Sequence, residues 1–140
     1  MPVLEQKFFT KITAFNQAAE QLIDSGDYAQ AVKEYQKAWN TLPEPRQLWD
    51  AGLWIKMGQA ECLLALGEYE QAKEKLLGAI LCAGAVNNPL VHLYLGICYF
   101  ETGDKGTALN ELKQAWEIEG DEVFQDGDEK YRNFLLASQS

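Results

Sequence analysis

DSGDYAQAVKEYQKAW, residues 24–39, returns in outline as ALGEYEQAKEKLLGAI at 65–80 and as ETGDKGTALNELKQAW at 101–116. Aligned on Gly26, Gly67 and Gly103, each copy has an acid next, at Asp27, Glu68 and Asp104. Alanine follows five residues after the glycine, at Ala31, Ala72 and Ala108, and again twelve after, at Ala38, Ala79 and Ala115. A large apolar or aromatic residue stands between them, at Tyr35, Leu76 and Leu112. The upstream halves agree as well: a small residue seven before the glycine (Ala19, Ala60, Gly96) and a large one four before (Leu22, Leu63, Tyr99). Fixed-period self-similarity of this kind marks a stack of like units.

The spacing has a physical reading. Small residues on either side of the glycine let two antiparallel helices approach closely, near the lower end of the roughly 8–10 Å range, while the large residues fill the space above and below. Each glycine falls where a first helix must stop, a place that commonly takes positive φ. One such pair cannot bury its apolar face alone, so three pairs share a core.

These positions resemble the tetratricopeptide repeat family, whose unit is a helix, a glycine turn and a second helix; the likeness runs from about Thr13 to Gly120. It implies an all-α, right-handed α-solenoid of three helix pairs. The expected division is one domain over 1–140, with repeats at about 3–43, 46–84 and 88–120 and a capping helix at about 128–138. The glycines are 41 and 36 residues apart, against about 34 for this repeat type. The first excess lies around Pro43, Glu44 and Pro45, which predicts a loop and then a long first helix from about Arg46 to Leu66. In that middle copy Lys56 and Gln59 stand where the family has large apolar residues, so its helix is expected to be rotated or exposed there. Near the end, Asp126 or Asp128 is expected to cap a helix carrying Tyr131, Phe134 and Leu135 on one face.

Composition narrows the partners. The chain has 140 residues, 47% hydrophobic and 24% charged, with a formal charge of −9. This suits a folded globular chain and disfavours nucleic acid or an anionic membrane as partner. The opening MPVLEQKFFTKITAF does not read as a secretory signal, and no apolar run approaches the roughly 20 residues of a membrane helix. Three cysteines, Cys62, Cys82 and Cys98, without CxxC spacing argue against a disulfide framework and point to a reducing cytoplasm.

Chemistry is not legible. His92, the one histidine, lies in the apolar PLVHLYLGICYF with no second ligand at metal-binding spacing, and reads as packed or hydrogen-bonded. Cys62 and Cys98 occupy matching positions facing the helix-pair interior and read as small buried hydrophobes. The seven carboxylates between Glu117 and Glu129 lack the alternating spacing of a calcium loop and read as a solvated stretch. No phosphate-binding glycine loop is present. The expectation is a non-catalytic protein with no cofactor and no metal.

The family resemblance implies a concave wall lined by first helices. From the first copy it would take Thr13, Asn16, Glu20, Ile23 and Asp24. The second would give Trp54, Met57, Glu61 and Leu64, and the third Leu93, Ile97, Phe100 and Glu101. Such a wall is apolar and acidic, suited to a protein or peptide with hydrophobic anchors beside Lys or Arg. Family members that grip the C-terminal carboxylate of chaperones use lysine, arginine and asparagine there. Asn16 alone matches, which argues against that role. AECLLALGEYEQA (60–72) is similar to repeats of the small, acidic secretion chaperones that serve type III translocators. An immunity protein that neutralises a toxin, and an enzyme subunit with an unseen site, are the alternatives. The competing arrangement fills the groove with the chain's own long first helix, its capping helix, or a second copy in a homodimer.

Overall fold

At Gly26 the backbone turns with φ 79°, a left-handed conformation that any Cβ would strain. The Gly26 N–H donates to the Ile23 carbonyl at 2.9 Å and the Asp27 N–H to the Leu22 carbonyl at 2.8 Å, closing the first helix. Asp27 then starts the next one, its carboxylate accepting the Gln30 N–H. The computed structural model describes residues 4–139, and the same turn recurs in it at Gly67 and Gly103. Asp104 repeats the capping role, accepting the Thr107 N–H at 3.1 Å and its hydroxyl at 2.8 Å. Thus the acid after the glycine caps the following helix in the first and third copies, while Glu68 makes no such cap. An added Cβ at Gly67 meets nothing within 4 Å, so only the backbone opposes it. Gly67→Ala is expected to cost about 1 kcal/mol, read as a melting temperature lower by about 4 °C.

The described residues form seven α-helices and no strand, divided into two units. In the N-terminal unit, Met1–Gly84, α1 spans Gln6–Asp24, α2 Tyr28–Thr41, α3 Asp50–Ala65 and α4 Tyr69–Ala79. Each helix packs on the next. The core holds Ile12, Ala19, Ala31, Tyr35, Ala38, Leu42, Ile55 and Cys62, with Phe8, Phe15, Leu22, Trp39 and Trp49 packed around it. The start expected for the first helix, at Val3, lies outside the described residues.

Two details of this unit differ from expectation. The long helix from Arg46 is interrupted: Arg46–Leu48 form a single 3-10 turn, Trp49 is extended, and α3 begins at Asp50. Side-chain bonds hold the break. The Trp49 indole N–H donates to the Pro43 carbonyl at 2.8 Å, and Arg46 Nε donates to the Trp39 carbonyl at 3.0 Å. The second detail concerns Lys56 and Gln59, which face inward. Gln59 is fully buried and its Nε2 donates to the Val32 carbonyl and to Gln36 Oε1. Lys56 lays its ammonium 4.2 Å over the Trp39 ring, a cation–π contact, and burial pushes its pKa down. Polar side chains thus replace apolar ones without the helix turning away, because α2 supplies acceptors and an aromatic face.

Gly58 explains how α2 and α3 come together. A Cβ there would fall 2.5–2.9 Å from three ring carbons of Tyr35. Gly58→Val is expected to cost about 2 kcal/mol through overpacking, measured by urea denaturation. A neutral result would show that the Tyr35 ring moves aside freely.

In the C-terminal unit, Ala85–Ser140, α5 spans Pro89–Glu101, α6 Lys105–Glu119 and α7 Glu129–Ser138, with a 3-10 turn at Gly120–Val123. Asn88 caps α5, accepting the Leu90 N–H at 2.9 Å, and Pro89 follows in the first turn, where its missing N–H costs nothing. α7 packs on both α5 and α6. Its Tyr131 and Leu135 are buried, and Phe134 meets Phe100 edge-on at 5.0 Å. Asp128 stands at the start of α7, but its carboxylate accepts the Gln125 N–H and makes no bond into the helix.

Candidate functional site

Three of the four large hydrophobic side chains of the N-terminal unit that are more than half exposed lie together, Trp54 at 55%, Leu48 at 55% and Phe9 at 51%; the fourth is Leu81. The first three border a groove between α1 and α3. At one end a cavity of about 320 Å³ is walled by Phe9, Ile12 and Thr13 of α1, by Leu48 and Trp49 of the interrupted segment, and by Asp50, Ala51 and Trp54 of α3. A second cavity of about 350 Å³ shares Phe9, Thr13 and Trp54 and continues past Asn16, Gln17, Glu20 and Tyr35. The first end is apolar, and the second adds the polar side chains of Asn16 and Gln17 and the acid Glu20 to an aromatic wall. Glu20 and Asp50 are the charged residues among the described linings, and no basic residue lines either cavity.

Helix periodicity puts these residues on one face. Phe9, Thr13, Asn16 and Glu20 follow one another at steps of four, three and four, the spacing of a single helical stripe. Asn16 Oδ1 is shielded from solvent and accepts no hydrogen bond from the described residues. An acceptor so placed is costly until a donor meets it. Beside it, Tyr35 has its phenol pushed up to about 12, first by burial and then by the charges of Cys62, Glu20 and Glu61. It stays neutral, a potential hydrogen-bond donor at physiological pH.

Of the residues expected on the wall, Thr13, Asn16, Glu20 and Trp54 come together here. Ile23 packs partly into the unit's core, and Asp24 is exposed at the end of α1. Met57 is buried, Glu61 is exposed and Leu64 is half-buried; none of the three lines these cavities. The other four expected residues belong to the C-terminal unit. Leu93 and Ile97 are buried there. Phe100 is covered by Tyr131 and Phe134 and carries the Lys105 ammonium 4.0 Å above its ring. Glu101 holds Lys130 Nζ at 2.9 Å. Phe9 was within reach of sequence reasoning, since it lies one turn before Thr13 on the same stripe. Leu48 and Trp49 were not, because they sit in the stretch that breaks the repeat.

The groups most suggestive of chemistry have structural partners. His92 is buried, with Nδ1 2.7 Å from Glu111 Oε2 and Nε2 2.7 Å from the Val86 carbonyl, so it ties α6 to the segment before α5. Burial, and then the Glu61 charge, raise the Cys62 thiol to about 11, which leaves little thiolate at neutral pH. Cys82 is raised by burial also. Among the described residues, no cluster of His, Cys, Asp or Glu has the arrangement of a metal site, and no helix is long and apolar enough to cross a membrane.

Comparison with known proteins agrees with this architecture. A tetratricopeptide repeat family model matches residues 22–83, and the described residues share an all-α solenoid fold with solved structures. The crystal structure of PcrH from Pseudomonas aeruginosa is similar at 17% identity with a TM-score of 0.72, over 99% of this chain and 96% of that one. PcrH in complex with the chaperone binding region of PopB gives 16% identity and a TM-score of 0.66, over 99% and 98%. The Yersinia enterocolitica type III secretion translocator chaperone SycD gives 20% identity and a TM-score of 0.67, over 90% and 88%. Comparison with curated protein sequences finds no match.

Proposed function

We propose that this chain is a non-catalytic binding module that holds a segment of another protein in the α1–α3 groove, as a chaperone of secreted proteins does. The observation that carries the reading is the groove itself: exposed Trp54, Phe9 and Leu48 surround a space whose charged walls, Glu20 and Asp50, are both acidic. Buried aromatic anchors supply most of the energy in such interfaces, while rim charges select the partner and speed encounter. The segment that fits carries large apolar side chains with Lys or Arg between them. Two fold relatives favour the secretion-chaperone form, one seen with the chaperone binding region of PopB and one described as a translocator chaperone. Cys62, Cys82 and Cys98 are buried as thiols rather than joined in disulfides, which suits work in a reducing cytoplasm.

The test uses a basic, apolar peptide selected on the protein from a displayed random library. Glu20→Lys is expected to weaken its binding about tenfold, roughly 1.4 kcal/mol, and to flatten the dependence of association on salt. Unchanged affinity and unchanged salt dependence would place the binding surface elsewhere.

A further inference from the structure

The extra residues between the first two repeats are not slack. Gly26 and Gly67 are 41 residues apart, about seven more than the repeat type needs. That excess forms a strap fixed at four points. Trp49 bonds to the Pro43 carbonyl, Arg46 to the Trp39 carbonyl, and the Gln47 carbonyl accepts the Ala83 N–H at 3.0 Å. At the fourth point the Gly52 backbone lies so close to the Arg46 carbonyl that a Cβ would stand 2.7 Å from it. A loop tied in this way is preorganised, and it presents Leu48 and Trp49 to the groove.

Resting on the binding role proposed above, we infer that this strap is the specificity element of the groove. It encloses the apolar cavity and makes it a pocket for one bulky apolar side chain whose neighbour is Lys or Arg. Three observations support this. The cavity, about 320 Å³, lies at the low end of ligand pockets, which suits one large side chain rather than a folded segment. Its lining is apolar except for Thr13 and Asp50, and Asp50 alone carries charge, at the first residue of α3. Leu48 is exposed although the strap beneath it is fixed, so its apolar surface stands ready for an occupant. A repeat of ordinary spacing would lack Leu48 and Trp49 and leave this end of the groove open.

The experiment pans a displayed random dodecapeptide library against the full chain and two variants. Ala51→Phe fills the pocket from α3. Leu48→Ser removes the exposed part of the wall, where folding has least at stake. The native protein is expected to enrich Leu, Met, Phe or Trp with Lys or Arg within two positions. Ala51→Phe is expected to lose the bulky residue from its consensus while keeping basic residues that answer Glu20. Leu48→Ser is expected to bind native-selected peptides about tenfold more weakly with an unchanged melting temperature. If Ala51→Phe and Leu48→Ser both keep the native consensus and affinity, the strap is not the specificity element, and the groove reading stands without it. If the native chain enriches no peptide, the groove reading fails and this inference fails with it.

Discussion

Leu112→Ala is expected to destabilise the protein by about 4 kcal/mol, toward the upper part of the 2–5 kcal/mol range for core leucines. Leu112 is fully buried, and it faces a residue that has nothing to give. A Cβ built on Gly96 would stand 2.6 Å from Leu112 Cδ2 and 2.7 Å from its Cγ, so the leucine fills the space directly above the glycine. Removing the side chain leaves a hole between α5 and α6 that Gly96, having no side chain, does not fill. Since whole domains are stable by about 5–15 kcal/mol, the loss is severe. Urea denaturation at unchanged m measures it. The pair is expected to be coupled: Gly96→Ala alone clashes, whereas Gly96→Ala combined with Leu112→Ala recovers part of the loss. A cost below about 2 kcal/mol, with no recovery in the double variant, would show that α5 and α6 collapse together freely.

That pairing shows why the fold was legible. A small residue on one helix and a large one on its partner leave a fixed-period trace, because helix contact constrains residue volume at Gly96 and Leu112 alike. The glycine turns were legible for a similar reason. The interrupted segment was not. Trp49 and Arg46 bond to the carbonyls of Pro43 and Trp39, contacts specific to this stretch that follow no period. Gln59 and Lys56 read as departures from an apolar helix, and the acceptors and aromatic face that α2 offers them lie 20 or so residues away in sequence. The candidate site was partly visible. Asn16, Glu20 and Trp54 follow from repeat register, whereas Leu48, Trp49 and Asp50 depend on the strap. Burial at Met57, Leu93 and Ile97 depends on the full set of neighbours, which register alone does not give.

Trp54 carries the second large effect. Its side chain is more than half exposed and lines both cavities, so Trp54→Ala removes contact surface while leaving the core intact. An aromatic anchor of this kind is typically worth 2 kcal/mol or more in binding, about thirtyfold or more in affinity. Its share of folding stability is expected to stay below about 1 kcal/mol, the usual range for surface positions. Measuring urea stability and peptide affinity on the same Trp54→Ala preparation therefore tests the central claim most directly. The claim predicts a protein that unfolds at nearly the native midpoint and binds the library-selected peptide at least thirtyfold more weakly. A variant that loses several kcal/mol of stability, or one that binds as the native protein does, contradicts it.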